Sequence, residues 1–171
     1  MESSVFSLGS LTKDTPEKLQ LNAKEGWLAK VLAELNESAG AEETQMLEKA
    51  HLTFTGEIKK SKNIKFGEYL VISGDLSTSF ITQCVKTGAM MIDQVECLVK
   101  AGCISRANQK QLGLEDGDSI FLEDEEFELF FYENNQVDLE PILSEFIYLN
   151  KNAYPSTVGD EAEDSSSITL N

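Results

Sequence analysis

Tyr69-Leu70-Val71-Ile72-Ser73-Gly74-Asp75-Leu76-Ser77-Thr78-Ser79-Phe80-Ile81-Thr82-Gln83-Cys84 is the stretch on which the fold class turns. Leu70, Ile72, Leu76, Phe80 and Cys84 share one parity, while Ser73, Asp75, Ser77, Ser79 and Gln83 share the other. Side chains of a strand alternate between faces, so the pattern predicts a long antiparallel strand with one buried and one wet face, bent at Gly74. Upstream, Leu52, Phe54 and Ile58 alternate with His51, Thr53, Thr55 and Glu57, which predicts a second half-buried strand with the lone histidine on its polar side. Downstream, Lys86-Thr87-Gly88 reads as a turn into a third strand at Met90–Val99, and the three together read as a β-meander.

The ends of the chain change period. Val5, Phe6, Leu8 and Leu11 suggest a short opening strand, with Lys18–Leu21 a possible continuation. Asn22 and Glu25 have capping-box spacing, and Trp27, Leu28, Val31, Leu32 and Leu35 form one helical stripe, so a helix is expected over 23–35 with Gly40 beyond its end. Trp27 belongs to that stripe and reads as core. Ile120–Leu122 and Phe127–Tyr132 predict further strands. Asp138 is a good N-cap, Pro141 is tolerated in a first turn, and Leu139, Ile142, Leu143, Phe146 and Ile147 mark the apolar face of a last helix ending near Asn150. The expected class is α+β: an antiparallel β-meander or partly closed barrel with one N-terminal and one C-terminal packing helix. Residues 1–155 read as one domain and 156–171, rich in serine and acids, as a disordered acidic tail.

Charge divides the chain. Of its 171 residues, 1–110 carry 13 basic and 14 acidic side chains, whereas 111–171 carry one basic and 16 acidic, leaving −16 overall. A polyanion of this kind repels nucleic acid as a whole, which argues against a general or sequence-specific duplex-DNA binder. Local patches escape that argument. Lys59, Lys60, Lys62 and Lys65 form an acid-free basic turn, a candidate RNA contact whose simpler reading is a hairpin tip kept soluble by lysines. Glu123, Asp124, Glu125 and Glu126 form an acidic loop or edge that would suit a cationic partner.

Other chemistry finds no pattern to rest on. No Walker-type or dinucleotide-binding glycine loop occurs, and no His-Glu pair stands at helical spacing for zinc. Cys84, Cys97 and Cys103 lack the close pairing of zinc ligands, so neither a metal nor a cofactor is expected, and no residue constellation suggests an enzyme. No apolar stretch approaches the roughly 18 residues of a membrane helix. Met1–Val5 has neither the basic start nor the apolar core of a secretory signal, and three cysteines are too few for a disulfide scaffold, so the expected setting is the cytoplasm with three thiols.

One family resemblance emerges from the order of these features. Gly74–Cys84, the acidic β-rich stretch after it, Val137–Glu145 and Pro155 together resemble the YceD family, described as large ribosomal RNA subunit accumulation proteins. The resemblance covers about Leu47 to Pro155, and its most specific residues are Cys84 and Asp138-Leu139-Glu140-Pro141. Two departures stand out. The family commonly has a Cys-x-x-Cys pair after the long strand, but Cys84 is followed here by Val85, Lys86 and Thr87; the family's cysteine-containing ending is replaced by Tyr154-Pro155-Ser156-Thr157. The resemblance implies a non-catalytic role with the large-subunit RNA precursor or a basic ribosomal protein, and no metal or redox role is carried over. The alternative is an acidic protein–protein adaptor unrelated to ribosomes.

Overall fold

Alternating apolar residues become strands and the two helical stripes become helices in the computed structural model, which describes residues 3–24, 26–36 and 47–156. In chain order the elements are β1 (Val5–Ser7), β2 (Glu17–Asn22), α1 (Gly26–Leu35), β3 (His51–Asn63), β4 (Gly67–Gln83), β5 (Met90–Ser105), the single-turn α2 (Gln109–Leu112), β6 (Ser119–Leu122), β7 (Glu125–Tyr132), β8 (Gln136–Asp138) and α3 (Leu139–Asn150). Six strands form one open sheet in the order β2-β3-β4-β5-β7-β6, and β1 pairs separately with β8. The class is α+β and the sheet is mostly antiparallel, as the alternation predicts.

Two features depart from a simple meander. β2 to β5 do follow one another, but β7 lies parallel to β5, pairing Ala101 with Glu128 through Ser105 with Tyr132. A parallel neighbour needs a crossover, here supplied by 106–118 and β6. The second departure is the opening segment. β1 ends at Ser7 in a tight turn over Leu8–Ser10, and it joins β8 instead of the main sheet.

The principal core lies on one face of the sheet. Leu70, Ile72, Leu76 and Phe80 of β4 meet Leu28, Val31 and Leu35 of α1 and Leu139, Ile142, Leu143 and Ile147 of α3. Trp27 is also buried there. A smaller core forms on the opposite face, where Phe66, Tyr69, Val71 and Ile104 are covered by Ile120, Leu122, Phe127 and Leu129. The β6–β7 hairpin therefore folds over one end of the sheet. Its close approach is legible at Gly102, where an added Cβ would stand 2.8 Å from Leu122 Cδ1.

Local signals at the helix ends are realised unevenly. Asp138 Oδ1 accepts from Glu140 N at 3.1 Å and caps α3, whose buried residues are the five named from the sequence. At α1, Asn22 Oδ1 accepts from Lys24 N at 2.8 Å, making a local turn, and the helix begins at Gly26, later than expected. Glu25, Gly40 and nearly all of the acidic tail, from 157 onward, lie outside the described residues.

Candidate functional site

The basic and acidic candidates, read separately in the sequence, meet in space. Lys59, Lys60 and Lys62 are strand residues of β3, and only Lys65 lies in the turn into β4. Lys59 points to the face covered by the β6–β7 hairpin. Glu123 and Asp124 form that hairpin's two-residue turn with φ of 53° and 67°, the left-handed geometry that matches strand twist. The turn carries the Glu123 carboxylate to 2.5 Å from Lys59 Nζ, and Tyr69 OH donates to its other oxygen at 3.0 Å. The hydrogen bond to Glu123 holds the Lys59 ammonium above its ordinary pKa, and burial raises that of Tyr69.

The remaining lysines face different directions. Lys60, on the opposite side of β3, donates to the Leu8 carbonyl at 2.8 Å and ties the opening turn to the sheet. Lys62 is exposed, and Lys65 Nζ stands 5.1 Å from the centre of the Phe66 ring. Neither makes an ion pair among the described residues. Two of the four candidates are thus structural ties, and two remain open to solvent.

The acidic residues also divide. Glu125 and Glu126 belong to β7, not to a loop: Glu125 stands 3.6 Å from Lys100 Nζ, and Glu126 accepts from Ser119 Oγ at 2.8 Å. Asp124 occupies the exposed tip. From Glu115 to Glu126 seven carboxylates stand without a basic residue among them. Three cations come within 4 Å of that set: Lys59 at Glu123, Lys100 at Glu125, and Arg106 at Asp116. The hairpin region stays net acidic.

Cys84 and Pro155, two of the positions singled out in the sequence, meet at the far end of β4. Val85 N donates to Pro155 O at 2.9 Å, and Cys84 Sγ lies 3.7 Å from Ser156 Oγ. An open cleft of about 640 Å³ separates the 83–88 turn from the end of α3, lined by Gln83, Val85, Tyr148, Lys151 and Asn152. Asp138, Leu139, Glu140 and Pro141 lie at the other end of α3 and have structural duties: Asp138 caps, Leu139 is buried, and Glu140 reaches Lys30 at 3.9 Å. Pro141 sits where a helix needs no amide donor.

The thiols are poorly placed for nucleophilic work. None of the three is disulfide-bonded; Cys84 and Cys103 are buried, and burial pushes the Cys103 thiol up to about 12 and raises Cys97. Thiolate is the reactive form, so these environments suppress reactivity. Among the described residues no three His, Cys, Asp or Glu side chains are grouped to hold a metal. His51 faces the polar side of β3, as expected, with Nε2 3.2 Å from Ser77 Oγ.

Three features escaped the sequence reading. Tyr69 completes the Lys59–Glu123 contact from the second core. Arg106 stacks 4.4 Å from the Phe131 ring centre and pairs with Glu133 at 3.2 Å, pinning the crossover that leads to β6. Lys151 stands 5.4 Å from the Phe80 ring and 5.5 Å from Tyr148, at the cleft. Tyr148 falls between the buried positions of α3, and that omission from the stripe was its available signal. No helix among the described residues is long and apolar enough to cross a membrane. Compared with protein-family models, curated proteins and solved structures, the chain matches none of them.

Proposed function

We propose that the chain is a non-enzymatic ribosome-biogenesis factor, a divergent relative of the YceD family that promotes accumulation or processing of large-subunit ribosomal RNA through RNA or ribosomal-protein contacts. The observation that carries this reading is the meeting of Cys84 with Pro155 and Ser156, residues about seventy positions apart. They are the two places where the family pattern carries cysteines, and their proximity supports the resemblance. The second cysteine and the cysteine-containing ending are absent here, so the role rests on surfaces and not on thiol chemistry.

Of the candidate RNA contacts, Lys62 and Lys65 are the ones left available, and two phosphate contacts against a net charge of −16 make weak binding. Residence on a precursor would then depend on a protein neighbour, and the acidic hairpin suits a basic one. The setting in this reading is the cytoplasm.

Sedimentation of lysate at low and moderate salt tests the proposal. Co-migration with large-subunit precursors is the expected result. A free pool unchanged when ribosome assembly is blocked would refute it and favour an adaptor unrelated to ribosomes. For the RNA part, Lys62→Gln and Lys65→Gln should each reduce the log-log salt slope of RNA binding by roughly 0.7–0.9. Lys59→Gln should instead act mainly on stability.

A further inference from the structure

β6 ends the six-stranded sheet and has a single neighbour, β7. Leu129 N donates to Asp118 O at 2.9 Å, which makes 118 and 129 a hydrogen-bonded pair. Register then fixes the rest: Ile120 with Phe127 and Leu122 with Glu125 bond across the ladder, whereas Ser119 and Phe121 turn their N–H and C=O groups outward. These four backbone groups meet no further strand among the described residues. Phe121 is 67% exposed, while Ile120 and Leu122 are buried beneath the same strand.

From this edge we infer that β6 accepts an added antiparallel or parallel strand from a partner segment that is extended and rich in lysine or arginine. Backbone bonds to Ser119 and Phe121 would hold the strand, and the Phe121 ring would cover an apolar side chain of the visitor. Charge selects the occupant. Seven carboxylates from Glu115 to Glu126 lie in the segments flanking β6, and Lys59, Lys100 and Arg106 answer three of them, Glu123, Glu125 and Asp116. A second copy would bring the same seven acids to the same place, so like charge rejects self-pairing at the edge. A cationic strand meets the opposite field and loses less to desolvation, because the acids lie on the rim in water.

The inference names a kind of partner whatever process it serves, and it stands apart from the ribosomal reading. The sedimentation result can fail while strand addition succeeds, and the reverse. The probe is a synthetic peptide of six Lys-Val repeats, with six Glu-Val repeats as the control, titrated against the full chain. Amide hydrogen exchange followed residue by residue gives the readout. The Lys-Val peptide should slow exchange at Ser119 and Phe121 at least tenfold, and the Glu-Val peptide should leave both unchanged. Ser119→Pro deletes one outward N–H and spares the backbone bonds to β7, and Ser119→Ala, which shares with it only the loss of the Ser119 Oγ–Glu126 bond, is its control; the proline variant should weaken Lys-Val binding about tenfold relative to the alanine variant. Should that variant fail to fold, exchange in the parent chain still decides. Binding of the Lys-Val peptide without protection at Ser119 and Phe121, equal binding of the Glu-Val peptide, or no binding would each overturn the inference.

Discussion

Gly74→Ala tests how the longest ladder of the sheet is built. β3 and β4 share thirteen registered pairs, and near the middle Gly56 stands opposite Gly74, both on the face that carries the principal core. A Cβ added at Gly74 would lie 2.5 Å from Gly56 Cα and closer still to the Thr55 carbonyl oxygen, with backbone on both counts. Carbon atoms in contact prefer about 3.5–4.0 Å, so β3 would have to retreat by about 1 Å. A shift of that size breaks the ladder bonds on either side of the pair. Two half-buried backbone groups left unmet cost up to about 1–3 kcal/mol each, offset by the 0.4–1 kcal/mol that alanine gains from a stiffer unfolded chain, so the net loss should be about 1–5 kcal/mol. Urea unfolding of the variant and its parent, with common slopes, measures it. Ser73→Ala on the wet face serves as control and should stay within about 0.5 kcal/mol. A Gly74→Ala loss below that same margin, or a gain, would show that the strands separate more easily than close backbone packing allows, and the reasoning would fail.

Other substitutions probe the helix and the charges. Phe146 is buried against Phe130 with ring centres 6.1 Å apart, so Phe146→Ala should cost about 3–5 kcal/mol in the same assay; under about 1 kcal/mol would make Phe146 a surface residue. Asp138→Ala should cost about 0.5–2 kcal/mol and Asp138→Asn far less, because asparagine keeps an acceptor for Glu140 N. Burial, and then the nearby Glu145, raise the Glu128 pKa above the ordinary carboxylate value. A raised acid favours folding when protonated and opposes it when charged. Glu128→Gln should therefore raise the melting temperature at neutral pH, with the gain shrinking as pH falls through the raised value and vanishing below roughly pH 4. A gain of the same size in acid would refute the assignment.

The sequence alternation was readable where one face of the sheet is wet. Leu70, Ile72, Leu76 and Phe80 against Ser73, Asp75 and Ser77 declare β4 without outside information. It fails at Tyr69 and Val71, which are buried on the opposite face because a hairpin some fifty to sixty residues later folds over them. No local pattern encodes that visit. The same cause hid the parallel pairing of β5 with β7, since the crossover between them is set by packing at Gly102 and Arg106 and not by period. For the candidate site, lysines and acids were identifiable as residue types. Their partners were not, because the Lys59–Glu123 contact spans 64 positions and depends on the turn geometry of Glu123 and Asp124.

That contact has a thermodynamic consequence for any pair of ligands. An anion that captures Lys59 releases the Glu123 carboxylate, and a cation that captures Glu123 releases Lys59. The cost of separation falls on whichever arrives first. The second then meets a group already freed, so the two ligands assist each other although they carry opposite charge and touch different strands. With Lys59 24% and Glu123 41% exposed, the pair is worth about 0.2–1 kcal/mol, which sets the mutual enhancement at no more than about fivefold. By linkage the factor is the same in either order of addition. A rise in salt weakens the contact beforehand and removes the enhancement along with it.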